Sequence, residues 1–117
     1  MKLIVAGSRD FNDWDRLNLT LRKIHERIQI NEIVSGGARG ADRLGERFAR
    51  ENGIPVVPFI PDWDRYGKSA GFRRNVQMSE YGEAFVAFCD GKSPGTRSMI
   101  ELAKERRLKV LVIHTAE

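Results

Sequence analysis

Five short apolar runs punctuate the chain of 117 residues: Leu3 to Ala6, Ile30 to Val34, Pro55 to Ile60, Ala84 to Cys89 and Lys109 to His114. Between successive runs the apolar spacing becomes helical, and this alternation constrains the fold more than any other feature. Leu3 to Ala6 reads as a short strand buried on both faces, and the other four runs read as strands. Strands that alternate with helices are parallel and joined by right-handed crossovers, which place helices on both sides of the sheet. The expected fold class is therefore α/β, a three-layer sandwich with a mainly parallel five-stranded sheet. In such sheets a ligand binds beyond the carboxyl ends of the strands, where the winding direction reverses. The loops rich in glycine, charge and aromatic rings all lie at those ends: Gly7 to Phe11, Ser35 to Asp42, Asp62 to Gly71 and Asp90 to Thr96. The opposite turns, Gln29 and Asn52-Gly53, are short and plain.

The helical patterns can be read individually. Leu17, Leu21, Ile24 and Ile28 share one face of a first helix, with Asn12 as its expected cap and Asp15 three residues on. A second helix begins near Asp42, where Leu44 and Phe48 share a face with the small residues Ala41, Gly45 and Ala49, and it ends at Asn52-Gly53 as a left-handed cap. Asp62 to Gly71 reads as a loop. Phe72 to Tyr81 follows as a helix with Phe72, Val76 and Ser79 on one side. Thr96 is the expected cap of a last helix over Arg97 to Arg107.

The turn Ser35-Gly36-Gly37-Ala38-Arg39-Gly40-Ala41-Asp42 joins a strand to a helix. A helix start leaves backbone N–H groups without partners and adds partial positive charge, so such a turn binds anions. Glycine accepts φ > 0 and removes the Cβ that would hold a phosphate away. Arg39 adds a fork of donors suited to phosphate oxygens. Gly95 and Thr96 repeat the arrangement in the last loop. Arg9, Arg73 and Arg74 add charge, and Phe11, Trp63 and Tyr66 offer flat surfaces for a base. The ligand expected from these residue types is a nucleotide.

Composition narrows the classes. With 41% hydrophobic residues the chain reads as one domain over 1–117, enough to bury a core. The N-terminal apolar run is too short for a signal peptide or a membrane span, and one cysteine, Cys89, excludes an internal disulfide and a cysteine metal cluster. The expectation is a cytoplasmic protein with no membrane partner. Two isolated histidines, His25 and His114, make no metal site, and no cofactor is expected. A net charge of +4 and a pI near 9.6 permit nucleic-acid binding without demanding it. Gly67-Lys68-Ser69 imitates the end of a P-loop, but Asp62 stands where that motif needs glycine. The spacing of Gly36, Gly37 and Gly40 is not that of the dinucleotide fingerprint.

Taken together, Ala6-Gly7-Ser8-Arg9, Ser35 to Asp42, Phe72-Arg73-Arg74-Asn75-Val76-Gln77-Met78 and Asp90-Gly91-Lys92-Ser93-Pro94-Gly95-Thr96 resemble the SLOG superfamily. These are Rossmann-like nucleotide-binding domains that include the LOG-type "lysine decarboxylase" proteins and the DNA-processing protein DprA. The pattern is most similar to the YspA, cpYpsA-related branch, and the resemblance spans nearly the whole chain. It implies ligand contacts from Gly7, Ser8, Arg9, Gly36, Gly37, Arg39, Gly40, Asp42, Trp63, Tyr66, Arg74, Asn75, Gly95 and Thr96. It implies a nucleotide or nucleotide-derived small molecule as partner, and a homodimer by analogy with LOG-type relatives.

LOG-type enzymes release the base from nucleoside monophosphates with an arginine in R-K-x-x-M and a glutamate in P-G-G-x-G-T-x-x-E. Arg74 and Met78 match the first segment, with Asn75 in place of lysine. Gly95-Thr96 matches the second, with Met99 in place of glutamate. Glu101 falls two positions late, about 200° around a helix. Binding without catalysis is therefore the leading expectation. An N-glycoside hydrolase using Arg74, Glu101 and Asp90, with Asp10, Asp42 and Asp64 as further carboxylates, is the enzymatic alternative. A single-stranded nucleic-acid-binding module is the other alternative.

Overall fold

The computed structural model describes residues 1–115, and the elements run in the order β1 (Lys2–Gly7), α1 (Trp14–Arg27), β2 (Glu32–Ser35), α2 (Ala41–Glu51), β3 (Val56–Pro58), α3 (Trp63–Tyr66), a 3₁₀ turn (Gly67–Ser69), α4 (Ala70–Tyr81), β4 (Ala84–Cys89), α5 (Pro94–Glu105) and β5 (Lys109–His114). Every strand pair is parallel and the sheet order is β3-β2-β1-β4-β5. The chain winds outward from β1 through β2 to β3, then crosses back to lay β4 on the other side of β1. The carboxyl ends of β1 and β4 therefore flank the point where the winding reverses, with Gly7 opposite Phe88 in register.

Strand faces alternate between the two helix layers. Leu3, Val5, Ile33, Val86 and Phe88 face α1 and α2, burying Leu17, Leu21, Phe48 and Ala49. Ile4, Ala6, Val34, Phe85 and Ala87 face α4 and α5, burying Met78, Met99 and Ala103. All six residues of β4 are buried, which accounts for its unbroken apolar run. The small residues of α2 do allow close packing: a Cβ on Gly45 would lie 2.9 Å from Val5 Cγ1.

The α/β sandwich, β4 and β5 follow the sequence reading. Several local details differ, each for a physical reason. Asp13, not Asn12, caps α1, accepting a bond from Arg16 N–H at 3.1 Å. Ser93, not Thr96, caps α5, with Pro94 in the first turn, where its missing N–H costs nothing. The span Asp62 to Gly71 is not a loop. It forms α3, a 3₁₀ turn and the start of α4, beginning at an Asp62 carboxylate that accepts from Arg65 N–H at 3.1 Å. On α4 the buried face carries Ala70, Asn75, Met78 and Ser79, whereas Phe72 is 55% exposed. Gly53 does take the left-handed conformation expected after α2, at φ 67°.

Candidate functional site

Three loops meet where β1 and β4 end, and Ser8 ties them together. Its N–H donates to the Phe88 carbonyl at 3.0 Å, its own carbonyl accepts from Phe11 N–H at 3.1 Å and Ala41 N–H at 3.4 Å, and its hydroxyl accepts from Asp90 N–H at 3.2 Å. Gly40 at φ 81° lies beneath this loop, where a Cβ would overlap the Ser8 carbonyl oxygen. Phe11 stacks on Phe88 with centroids 4.9 Å apart and is 8% exposed, so it belongs mainly to the core, and its remaining edge lines a neighbouring hollow of about 300 Å³ with Asp10, Asn12 and Arg16.

The glycine turn after β2 binds an anion, and that anion is the protein's own Asp42. Asp42 is 4% exposed, and its Oδ2 accepts from Ala38 N–H at 3.3 Å. Burial raises its pKa to about 6, against the lowering effect of the Ala38 and Gly36 backbone bonds and of the Arg74 charge. Gly37 N–H is likewise engaged, donating to the Ser35 hydroxyl at 3.1 Å, and Ser35 donates to Glu46 Oε2 at 2.6 Å. The donors expected to meet a ligand phosphate at Gly37 and Ala38 are thus used within the turn.

Arg74 is the side chain that α4 contributes. Its Nη1 donates to the Gly36 carbonyl at 2.7 Å and its Nε to Asn75 Oδ1 at 2.8 Å, while Asn75 Nδ2 reaches the Gly95 carbonyl at 3.4 Å. A Cβ on Gly36 would lie 2.8 Å from the Arg74 guanidinium carbon, so glycine is what lets the arginine seat there. Burial lowers the Arg74 pKa and the neighbouring Asp42 carboxylate raises it. These bonds hold a cation between the two glycine-bearing turns before any ligand arrives.

Behind α5, Asp90 Oδ1 accepts from Lys92 N–H at 2.8 Å and Ser93 N–H at 3.2 Å, bonds that hold its pKa below the usual carboxylate range. Asp90 therefore orders its own turn. Ser93 then caps Thr96 N–H at 3.4 Å and accepts the Thr96 hydroxyl at 3.1 Å. The result is an inner recess of about 90 Å³ lined by Gly7, Arg9, Ala38, Asp42, Arg74, Asn75, Ser93, Gly95 and Thr96, with Met78 and Met99 among its apolar residues. It adjoins an outer cleft of about 480 Å³ between Ser8 to Asp10 and Asp90 to Gly95. Small-molecule sites span roughly 300 to 1,000 Å³, so the outer cleft has room for a nucleotide-sized body and the recess for one of its groups.

The structure brings Gly7, Ser8, Arg9, Asp42, Arg74, Asn75, Gly95 and Thr96 to this cleft and recess. Gly36, Gly37 and Gly40 shape its wall through the contacts given above. Arg39 is exposed and outside the lining, as is Glu101 on α5. Trp63, 53% exposed, and Tyr66 are also outside it, and the Tyr66 ring is already faced by Arg73 at 4.4 Å and Arg65 at 5.2 Å. Met99 occupies the recess at 1% exposure, where a carboxylate would be buried. Ser93 and Lys92, part of the Asp90 to Thr96 loop, are not among the ligand contacts expected from the sequence, although Ser-Pro ahead of a helix is a recognisable cap signal. Among the described residues no group of three histidine, cysteine or acidic side chains forms a metal site.

This geometry accords with what the chain is similar to. The family model for the YspA, cpYpsA-related SLOG family matches residues 1–66. Gene 61 protein of Mycobacterium phage D29 is 34% identical over 120 residues, covering 94% of each chain. The X-ray structure of DNA processing protein A (DprA) from Streptococcus pneumoniae superposes with a TM-score of 0.77 at 18% identity, over 98% of this chain and 50% of that one, so this chain spans half the length of that relative and shares its fold. No helix among the described residues is long and apolar enough to cross a membrane. The sequence match and the sheet that carries it lead to one assignment: the chain belongs to the YspA, cpYpsA-related SLOG family.

Proposed function

We propose that the protein binds a nucleotide or nucleotide-derived phosphate ligand in the cleft between the carboxyl ends of β1 and β4, as a binding or sensing module. One observation carries this reading. The Arg74 guanidinium is fixed in the recess by the Gly36 carbonyl and Asn75, beside the capped start of α5 at Ser93 to Thr96. A preset cation next to a helix start complements phosphate charge, and it spares the entropy of ordering a long side chain on binding. Arg9 and Lys92 on the outer rim add charge for further phosphates.

A nucleotide N-glycosidase is the second reading, and one observation favours it. Asp42 is a carboxylate in the recess whose pKa of about 6 suits proton transfer near neutrality. In this reading Asp42 takes the role that Glu101, exposed on α5, is badly placed to fill.

A thermal-shift screen against nucleoside mono-, di- and triphosphates, NAD, ADP-ribose and cyclic nucleotides, with assay of each hit for released base, tests both. A ligand at a hundred times its Kd stabilises the fold by about 2.7 kcal/mol, a shift on the order of 10 °C for a chain of this size. A shift without released base supports binding, and release abolished by Asp42→Asn supports the glycosidase. No shift with any compound refutes both.

A further inference from the structure

Trp63 and Phe72 are large, exposed and outside the nucleotide cleft, so the function proposed above gives them no role. Ile60 at 67%, Trp63 at 53% and Phe72 at 55% are half of the large apolar side chains exposed among the described residues, and all three fall in the segment that rims the carboxyl end of the sheet. Trp63 lies against the first turn of α4, where a Cβ on Gly71 would be 3.5 Å from its Cη2. Ile60 lies against the glycine turn, its Cδ1 2.9 Å from where a Gly37 Cβ would be. Cations interleave with these rings. Arg65 and Arg73 face Tyr66, Arg73 Nε donates to the Ser69 hydroxyl at 3.2 Å, and Lys68 is exposed between them. The ion pairs among the described residues are Arg47 with Glu51 and Arg106 with Glu80, so none of these three cations has a carboxylate partner. Of the segment's own carboxylates, Asp62 is committed to capping α3 and Asp64 is exposed.

We propose that this surface binds single-stranded nucleic acid, with bases stacked on Trp63 and Phe72 and phosphates held by Arg65, Lys68 and Arg73. Unstacked bases present flat apolar faces to exposed rings, and the backbone supplies anions at short intervals to cations that have no carboxylate partner among the described residues. A duplex hides its base faces and leaves the rings without a function. An apolar protein surface leaves the three cations uncompensated. The surface borders the cleft through Arg73 and Arg74, yet the proposal does not depend on a small ligand binding there.

The test measures anisotropy of labelled oligothymidylate and oligouridylate of about twelve nucleotides, within the usual site size, and of a matching duplex, with tryptophan emission followed in parallel. Both single strands should bind and quench Trp63. The other tryptophan, Trp14, packs under Arg47 at 3.9 Å on the α1 side of the sheet and contributes a constant background. Three phosphate contacts predict that affinity falls about twentyfold between 50 and 200 mM salt. Trp63→Ala should weaken binding about tenfold or more, by the known worth of base stacking. Trp63→Phe, which keeps an aromatic ring, should retain affinity while losing the quench. No binding of either strand at low salt overturns the proposal, as does a duplex bound as tightly or full affinity in Trp63→Ala, which assigns the rings to a protein contact. A parallel titration with AMP separates the two proposals. AMP bound without oligonucleotide removes only this one, and oligonucleotide bound with no compound of the nucleotide panel removes only the cleft reading.

Discussion

Asp42→Asn should make the protein more stable at neutral pH, and the gain should disappear in acid. The Asp42 carboxylate is 4% exposed and its pKa rises from 3.8 to about 6 on folding, chiefly through burial. The folded chain therefore holds this proton more tightly than the unfolded chain does. The sign follows: stability is greatest while the group is protonated in both states, and falls as pH rises through the interval from 3.8 to about 6. At 1.36 kcal/mol per unit, ionised Asp42 costs about 3 kcal/mol at pH 7 and above. Asparagine has the same shape and its amide oxygen still accepts from Ala38 N–H, but it carries no charge. Urea unfolding of both proteins at about pH 4 and pH 8 should show near equality in acid and a gain of up to about 3 kcal/mol for Asp42→Asn in base, with unchanged m-values. A variant less stable at pH 8, or one that keeps the wild-type pH dependence, refutes the account of Asp42.

Two glycines at positive φ differ in both backbone and surroundings: Gly40 has ψ −128°, outside the left-handed region, and lies against the Ser8 carbonyl, whereas Gly53 has open space. Gly40→Ala, at φ 81° under the Ser8 carbonyl, should cost about 3 kcal/mol or more, whereas Gly53→Ala, at φ 67° with nothing within 4 Å, should cost only about 1 kcal/mol in thermal or urea unfolding. Ser93→Ala removes the cap of α5 and should cost about 1 kcal/mol, with hydrogen exchange faster in the first turn of that helix. Phe48→Ala empties a fully buried position between α2 and the sheet and should cost about 3 to 5 kcal/mol by urea unfolding.

The sheet was legible because its signal is local. Ala84 to Cys89 and Lys109 to His114 are strands over the same residues in sequence and structure, being apolar runs bounded by turn residues. The loops' placement at one end of the sheet followed from alternation alone. Less was legible where polar residues do structural work. Asn75 is buried on α4, and its polarity turned the apparent apolar face toward Phe72, which is exposed, although Ser79 of that expected face is buried. The segment from Asp62 to Gly71 lacks apolar periodicity, so its helical turns are visible only through the Asp62 cap. The seating of Arg74 on the Gly36 carbonyl depends on how α4 meets the glycine turn in space, across 38 residues of sequence. No spacing in the sequence records that meeting.

Calorimetric titration of the nucleotide panel into the wild-type protein and Arg74→Ala, each checked for an intact fold by circular dichroism, tests the central claim most directly. The account predicts saturable binding of at least one nucleotide and a loss of about tenfold or more in affinity without the Arg74 guanidinium, the worth of a charge-assisted hydrogen bond. A wild-type protein that binds none of them, or a folded Arg74→Ala that binds as tightly, contradicts it.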